Sequence, residues 1–143
     1  MAAKDVLIIG ALVLFLLFLA RSINDINDHR DSNPILKIIS HNLSLIDKKY
    51  GDIPIKEDNR GYTDDKEVIA ICIIDPDSHI QYDMNTLMYV ALHELSHVIC
   101  TRKGHGTEFK KTFSRILRKG VEVGIYNPDL PVANTYCGLK SLG

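Results

Sequence analysis

The segment His93-Glu94-Leu95-Ser96-His97 lies inside residues 87–100, LMYVALHELSHVIC, a run that is apolar nearly all the way round. A helix of that composition is expected to be buried. Burying two imidazoles and a carboxylate among Leu, Val and Ile is costly unless something pairs them, and a metal ion does that. Residues four apart return to nearly the same helix face, so His93 and His97 can bind one ion. His105, set between Gly104 and Gly106 in a loop that must bend, is the expected third ligand. Zinc takes nitrogen donors at about 2 Å and in catalytic sites keeps one position open for water. Glu94 then stands within reach of that water, as general base and afterwards as general acid. The motif is therefore read as a peptide-bond-hydrolysing centre, with Zn2+ as cofactor and a protein or peptide as substrate. The competing reading is a chance His/Glu cluster on an amphipathic helix, and the apolar surroundings count against it.

Cys100, three residues after His97, has a spacing that could add a ligand, but His105 is the better third. The odd cysteine count (Cys72, Cys100, Cys137) and the lack of any CxxC speak against a disulfide framework or a zinc ribbon. Cys72 reads as a small core residue, and a reducing compartment is favoured.

Val6 to Ala20 is fifteen residues without a polar side chain, between Lys4-Asp5 and Arg21. As a helix it covers about 22 Å, short of the usual hydrocarbon thickness of about 30 Å, and snorkelling of Lys4 and Arg21 extends its reach. A cleaved signal peptide is the rival reading. Phe18 stands where a small residue would precede cleavage, so an uncleaved single-pass anchor is preferred. Arg21, Arg30 and Lys37 outweigh Lys4, which places the remaining domain on the cytoplasmic side.

The expected organisation is an anchor over residues 1–21, a polar linker over 22–32 and one α+β domain over 33–143. Ser32-Asn33-Pro34 starts a helix predicted to run to Tyr50 and to stop at Gly51. Residues 53–66 read as loop or short strand, and EVIAICII (67–74) as a strand buried on both faces. Asp83 caps the motif helix. Thr107 caps a second helix with Phe109, Phe113, Ile116 and Leu117 on its apolar face, and Gly120 is its expected stop. The last stretch, with Pro128 and Pro131, reads as irregular and packed over the site.

Formal net charge is −1, so the whole chain advertises no polyanion partner. Between Arg102 and Lys119, however, seven basic residues face a single acid, Glu108. Lys110, Lys111, Arg115 and Arg118 spread too widely, at 100° per residue, to line one tight groove. They make a diffuse positive field instead, either an ordinary solvated face or a surface that steers nucleic acid, lipid headgroups or an acidic substrate toward the metal.

Residues 85–113, NTLMYVALHELSHVICTRKGHGTEFKKTF, resemble the SprT/WLM-type zincin metallopeptidases. Those proteins carry HExxH on one helix, then a short loop, then a third histidine and a phenylalanine on the next helix. On that pattern His93, His97 and His105 fall on the metal ligands, Glu94 on the general base and Phe109 on the aromatic after the third ligand. The resemblance implies a small zincin-like domain with a short mixed sheet, of which EVIAICII forms the edge. Similar domains occur in large DNA viruses, and some members cut protein crosslinked to DNA. The apparent anchor, and the absence of long partner-binding tails, depart from the nuclear members. The metzincin pattern would put a third histidine six residues after His97, not eight. A glutamate-ligand zincin would draw on Glu108 or Glu122, both less apt than His105. Two functions follow: a membrane-anchored zinc metallopeptidase, or a membrane-anchored structural or assembly protein, for instance of a virion, that keeps a zincin fold with little or no catalysis. Tyr126 and Tyr136 are candidates, by residue type, for stabilising an oxyanion.

Overall fold

The computed structural model describes residues 1–31, 33–64 and 66–138 and, within these, all side chains but those of 24–31 and 64. The order is α1 (Ala3–Asp31), α2 (Pro34–Ile46), a 3-10 turn (Lys48–Asp52), β1 (Ile55–Glu57), β2 (Tyr62–Asp64), β3 (Val68–Ile71), α3 (Met84–Ile99) and α4 (Thr107–Glu122). This is the expected α+β class.

The apolar N-terminal segment is helical, as its composition requires, and Ala3–Ile23 is long and apolar enough to cross a membrane. Twenty-one residues span about 32 Å, so the helical stretch reaches the thickness that its fifteen-residue core lacked. Within the stretch read as a polar linker over 22–32, α1 continues through Asp31. Residues 22–31 contain neither proline nor glycine, so nothing breaks a helix already nucleated upstream. Ser32 lies outside the described residues.

Helix α2 begins as its sequence dictates. Asn33 accepts a hydrogen bond from the Ile35 N–H at 3.0 Å and Pro34 takes the first turn. It ends at Ile46 rather than Tyr50, because Asp47 turns to extended backbone (φ −156°) and its carboxylate accepts the Lys49 N–H at 3.1 Å. That local bond competes with further helix and starts the 3-10 turn instead.

The sheet has strand order β1-β3-β2, with β1 parallel and β2 antiparallel to β3. The strand EVIAICII is therefore central, not the edge that the family resemblance implied. This accounts for its composition: Ile69, Ala70 and Ile71 are all completely buried, which only a strand covered on both faces requires. The edge position next to α3 belongs to β2.

Asp83 caps α3 by accepting from the Thr86 N–H (2.9 Å) and the Thr86 hydroxyl (2.7 Å). Gly106, not Thr107, is the cap residue of α4, and it makes no side-chain bond. Gly120 does not stop α4, which runs to Glu122. A Cβ there would lie 2.8 Å from Leu92 Cδ1, so the glycine lets α4 approach α3 closely.

Cys72 and Cys137 form a disulfide across 65 residues with Cα atoms 6.4 Å apart, and Cys100 is the free thiol. This corrects the expectation of unpaired core cysteines and removes the argument for a reducing compartment. Counting cysteines could not reveal it, since three leave one over whether or not two pair. The bond ties the C-terminal segment to the end of β3. Two hydroxyls reinforce it: Tyr136 Oη accepts from the Cys72 N–H (2.7 Å) and Tyr82 Oη from the Cys137 N–H (2.9 Å). Tyr136 is thereby a core residue, 1 % exposed. The C-terminal segment does not pack over the histidines through these bonds; further hydrogen bonds tie it to the first turn of α3, at Asn85 and Thr86.

Closing a loop of this length in the unfolded chain should contribute about 2–4 kcal/mol. Cys137→Ser is expected to lose that amount in denaturant titrations under oxidising conditions. Thiol counting on the denatured, unreduced protein should find one reactive group, Cys100.

Candidate metal centre

Helix α3 sets His93 and His97 on one face, and the loop after it returns His105 to them. The three Nε2 atoms lie 3.1 Å (His93–His105), 3.1 Å (His97–His105) and 3.2 Å (His93–His97) apart. Each Nε2 carries either a proton or a lone pair, so among three atoms at least two present the same face. At least one of the three contacts is thus repulsive in the bare protein. A single cation receiving three lone pairs removes the conflict. Tetrahedral coordination at zinc–nitrogen distances of about 2.0–2.1 Å sets ligand atoms about 3.3 Å apart, close to the observed triangle. The donor set fits that ion.

The surroundings push in the same direction. Burial, and then the neighbouring His97 and His105, hold His93 down to about 4. Burial, His105 and Lys66 also lower His97. His93 and His97 are thereby held toward their neutral, ligating form. His93 Nδ1 is buried without a hydrogen-bond partner among the described residues. Its ring instead meets Phe109 and Phe113 edge-on, with centroids 4.9 and 5.1 Å away.

Phe109 is the hub of the cluster. It stacks on His97 at 4.3 Å and meets His93 and His105 edge-on at 4.9 and 4.8 Å, while remaining 5 % exposed itself. The position singled out as the aromatic after the third ligand therefore touches all three rings.

The loop from Thr101 to Gly106 is held at both ends. Lys66 Nζ donates to the carbonyls of Cys100 and, at 2.7 Å, Thr101, satisfying the end of α3. Glu108 Oε1 accepts from the Thr101 N–H and hydroxyl, both at 3.0 Å. Gly104, at φ +89°, supplies the bend. The alternative ligands are thus accounted for: Glu108 closes the loop, Glu122 pairs with Lys119 at 3.7 Å, and Cys100 caps α3. Sequence reasoning missed Lys66, whose positive φ of 62° gave no composition signal.

Glu94 is 7 % exposed, and burial raises its carboxyl above the ordinary value, offset by a hydrogen bond from Thr63. The Thr63 hydroxyl stands 2.7 Å from Glu94 Oε2 and 3.1 Å from the Glu94 carbonyl. Of the two oxyanion candidates, Tyr136 is committed to the core. Tyr126 packs beside Tyr89, centroids 5.8 Å apart, and Tyr89 meets Phe113 at 5.4 Å. Lys110, Lys111, Arg115, Arg118 and Lys119 all project from the solvent face of α4, over a broad arc rather than a groove.

The chain is similar to uncharacterized proteins of viruses. One, from Invertebrate iridescent virus 3, is 39 % identical over 90 residues, covering 63 % of this chain and 57 % of the relative. A second, from Invertebrate iridescent virus 6, is 32 % identical over 99 residues (66 % and 56 %). A third, from Acanthamoeba polyphaga mimivirus, is 37 % identical over 81 residues (54 % and 41 %). The chain spans about half the length of these curated relatives. No family model and no solved structure matches it.

His93 protonates in the folded state only near pH 4, against 6.5 for a free imidazole, so the unfolded chain takes up the proton first. The metal-free protein should therefore hold its full stability above about pH 6.5 and lose it progressively toward pH 4. Urea titrations of chelator-treated protein at pH 7.5, 5.5 and 4.5 check this, and the loss should shrink in His93→Gln.

Proposed function

We propose that this chain is a membrane-anchored zinc metallopeptidase, with His93, His97 and His105 holding the ion and Glu94 moving the proton. The observation that carries the reading is the triangle of Nε2 atoms at 3.1–3.2 Å beside a buried glutamate. A zinc ion there would acidify a water and polarise a peptide carbonyl. Glu94 accepts the proton of the attacking water and returns it to the leaving amine. Its raised proton affinity suits a group that must both take and give a proton. Phe109 shields one side of the histidines from solvent, which strengthens electrostatic effects within the site.

Helix α1 supplies the anchor. The Cys72–Cys137 disulfide forms and persists in oxidising surroundings, so we place the domain on the non-cytoplasmic face. This departs from the side expected on charge alone. The basic face of α4 would favour anionic protein segments or surfaces near the site, through a field that falls steeply with salt.

Three measurements test the reading. The purified protein should contain close to one zinc, lost in His93→Ala and His97→Ala. Glu94→Gln should keep zinc and fold while hydrolysis of an unfolded protein falls by about 10²–10⁴. Equal rates would remove Glu94 from the mechanism, and no hydrolysis by either protein would favour the structural, virion-type alternative. For the anchor, alkaline carbonate should leave the full chain in the membrane pellet, whereas a mature N-terminus near Arg21 would reveal a cleaved leader.

A further inference from the structure

We infer that Thr63 is the positioning residue of the site: its hydroxyl holds Glu94 Oε2, so that Oε1 is left free and aimed at the reacting water. The inference rests on the peptidase reading for what Oε1 does, but its geometric content stands separately.

Strand alternation puts the Thr63 side chain on the α3 side of β2. Tyr62, its neighbour, points away, with its hydroxyl 3.1 Å from Asp58 Oδ2 and its ring under Lys56 Nζ at 5.2 Å. Thr63 pairs with Ile69 of β3, so its register is fixed by the central strand. The hydroxyl reaches Oε2 at 2.7 Å, a charge-assisted length, and the backbone carbonyl of the same glutamate at 3.1 Å. With both acceptors on one residue, the hydroxyl fixes the side chain relative to its own helix.

Among the described residues no other hydrogen bond is made to the Glu94 carboxylate. Oε1 is not among the buried atoms that lack a partner, so it reaches solvent. One oxygen is therefore tethered and the other open, on a residue otherwise enclosed by α3 and the sheet. A freely rotating carboxylate would present either oxygen, or neither, to a water beside the histidines. A tethered one presents Oε1 alone. Threonine suits the place: its β-branch has few rotamers in a strand, and its hydroxyl donates while its methyl packs.

The test uses the full chain in detergent, loaded with zinc. Its probe is acetohydroxamate, which chelates the metal through its oxygens and offers an acidic proton to a nearby carboxylate. Thr63→Val should bind the probe about tenfold more weakly, the loss expected for one hydrogen bond to a charged group. Thr63→Ser should stay within about twofold of wild type, and all three proteins should hold the same zinc. In hydrolysis, Thr63→Val should lower kcat about tenfold with KM unchanged. Should the valine variant fail to fold, Thr63→Ala gives the same comparison without added bulk. Wild-type affinity for the probe in a zinc-loaded valine or alanine variant overturns the inference, as does a serine variant as weak as valine. If probe binding depends on Thr63 but wild type hydrolyses nothing, the peptidase reading falls and the positioning role stands. A wild-type chain that takes up no zinc overturns both.

Discussion

Three imidazole nitrogens within 3.2 Å of one another, half-enclosed by apolar side chains, form an arrangement that a protein does not reach by hydrophobic packing alone. Protonating more than one would set like charges almost in contact, and neutral tautomers cannot satisfy all three edges of the triangle. Everything around the cluster works to keep the rings there. The close approach of α4 to α3 at Gly120 brings Phe109 over the imidazoles. The Lys66 and Glu108 clamps hold the loop carrying His105, which would otherwise sample many conformations. These contacts act before any ion binds. Preorganisation of this kind lowers the entropy lost when three side chains converge on one centre.

The same logic explains the size of the sheet. Its strands are three, three and four residues long, too short to be stable alone. Their stability comes from what covers them: α3 on the sheet, and Leu36, Ile39 and Leu43 of α2 in the same core. β2 in turn is backed by Tyr136, since a Cβ at Gly61 would come within 2.7 Å of the Tyr136 ring. Through Gly61 the C-terminal segment supports the strand that carries Thr63. The disulfide beside Tyr136 therefore lies one packing layer behind Glu94.

The motif helix was legible because its chemistry is local. Histidine spacing, Asp83 at the cap and the apolar run all sit within eighteen residues, and α3 runs Met84–Ile99 as these signals require. His105 was legible because flanking glycines mark a bend. What stayed hidden depends on distant pairing. The partner of Cys72 lies 65 residues away, and Thr63 meets Glu94 across 31. Neither pair leaves a spacing pattern in one sequence. Gly120 was misread for a related reason: a glycine near a helix end serves equally as a stop or as a close contact, and only Leu92 on the neighbouring helix decides between them. Asp47 is the opposite case, a local signal overlooked, since an Asp followed two residues later by a free N–H is an ordinary turn starter.

The disulfide and the apolar helix α1 bear on the same question. Arg21, Arg30 and Lys37 beyond the apolar span argue for a cytoplasmic domain, but long domains translocate largely regardless of charge. A disulfide between residues at 1 % and 7 % exposure is a different kind of evidence, because the buried bond must form while the domain folds or before it closes. Reduced, the two thiols would sit as small apolar groups in the same core, and the segment carrying Tyr136 would keep only its hydrogen bonds. Oxidised, that segment is fixed behind β2. A compartment that permits oxidation therefore yields the better-ordered support for Thr63 and Glu94. That coupling, rather than the charge count, is the stronger physical support for the proposed placement of the domain on the oxidising side.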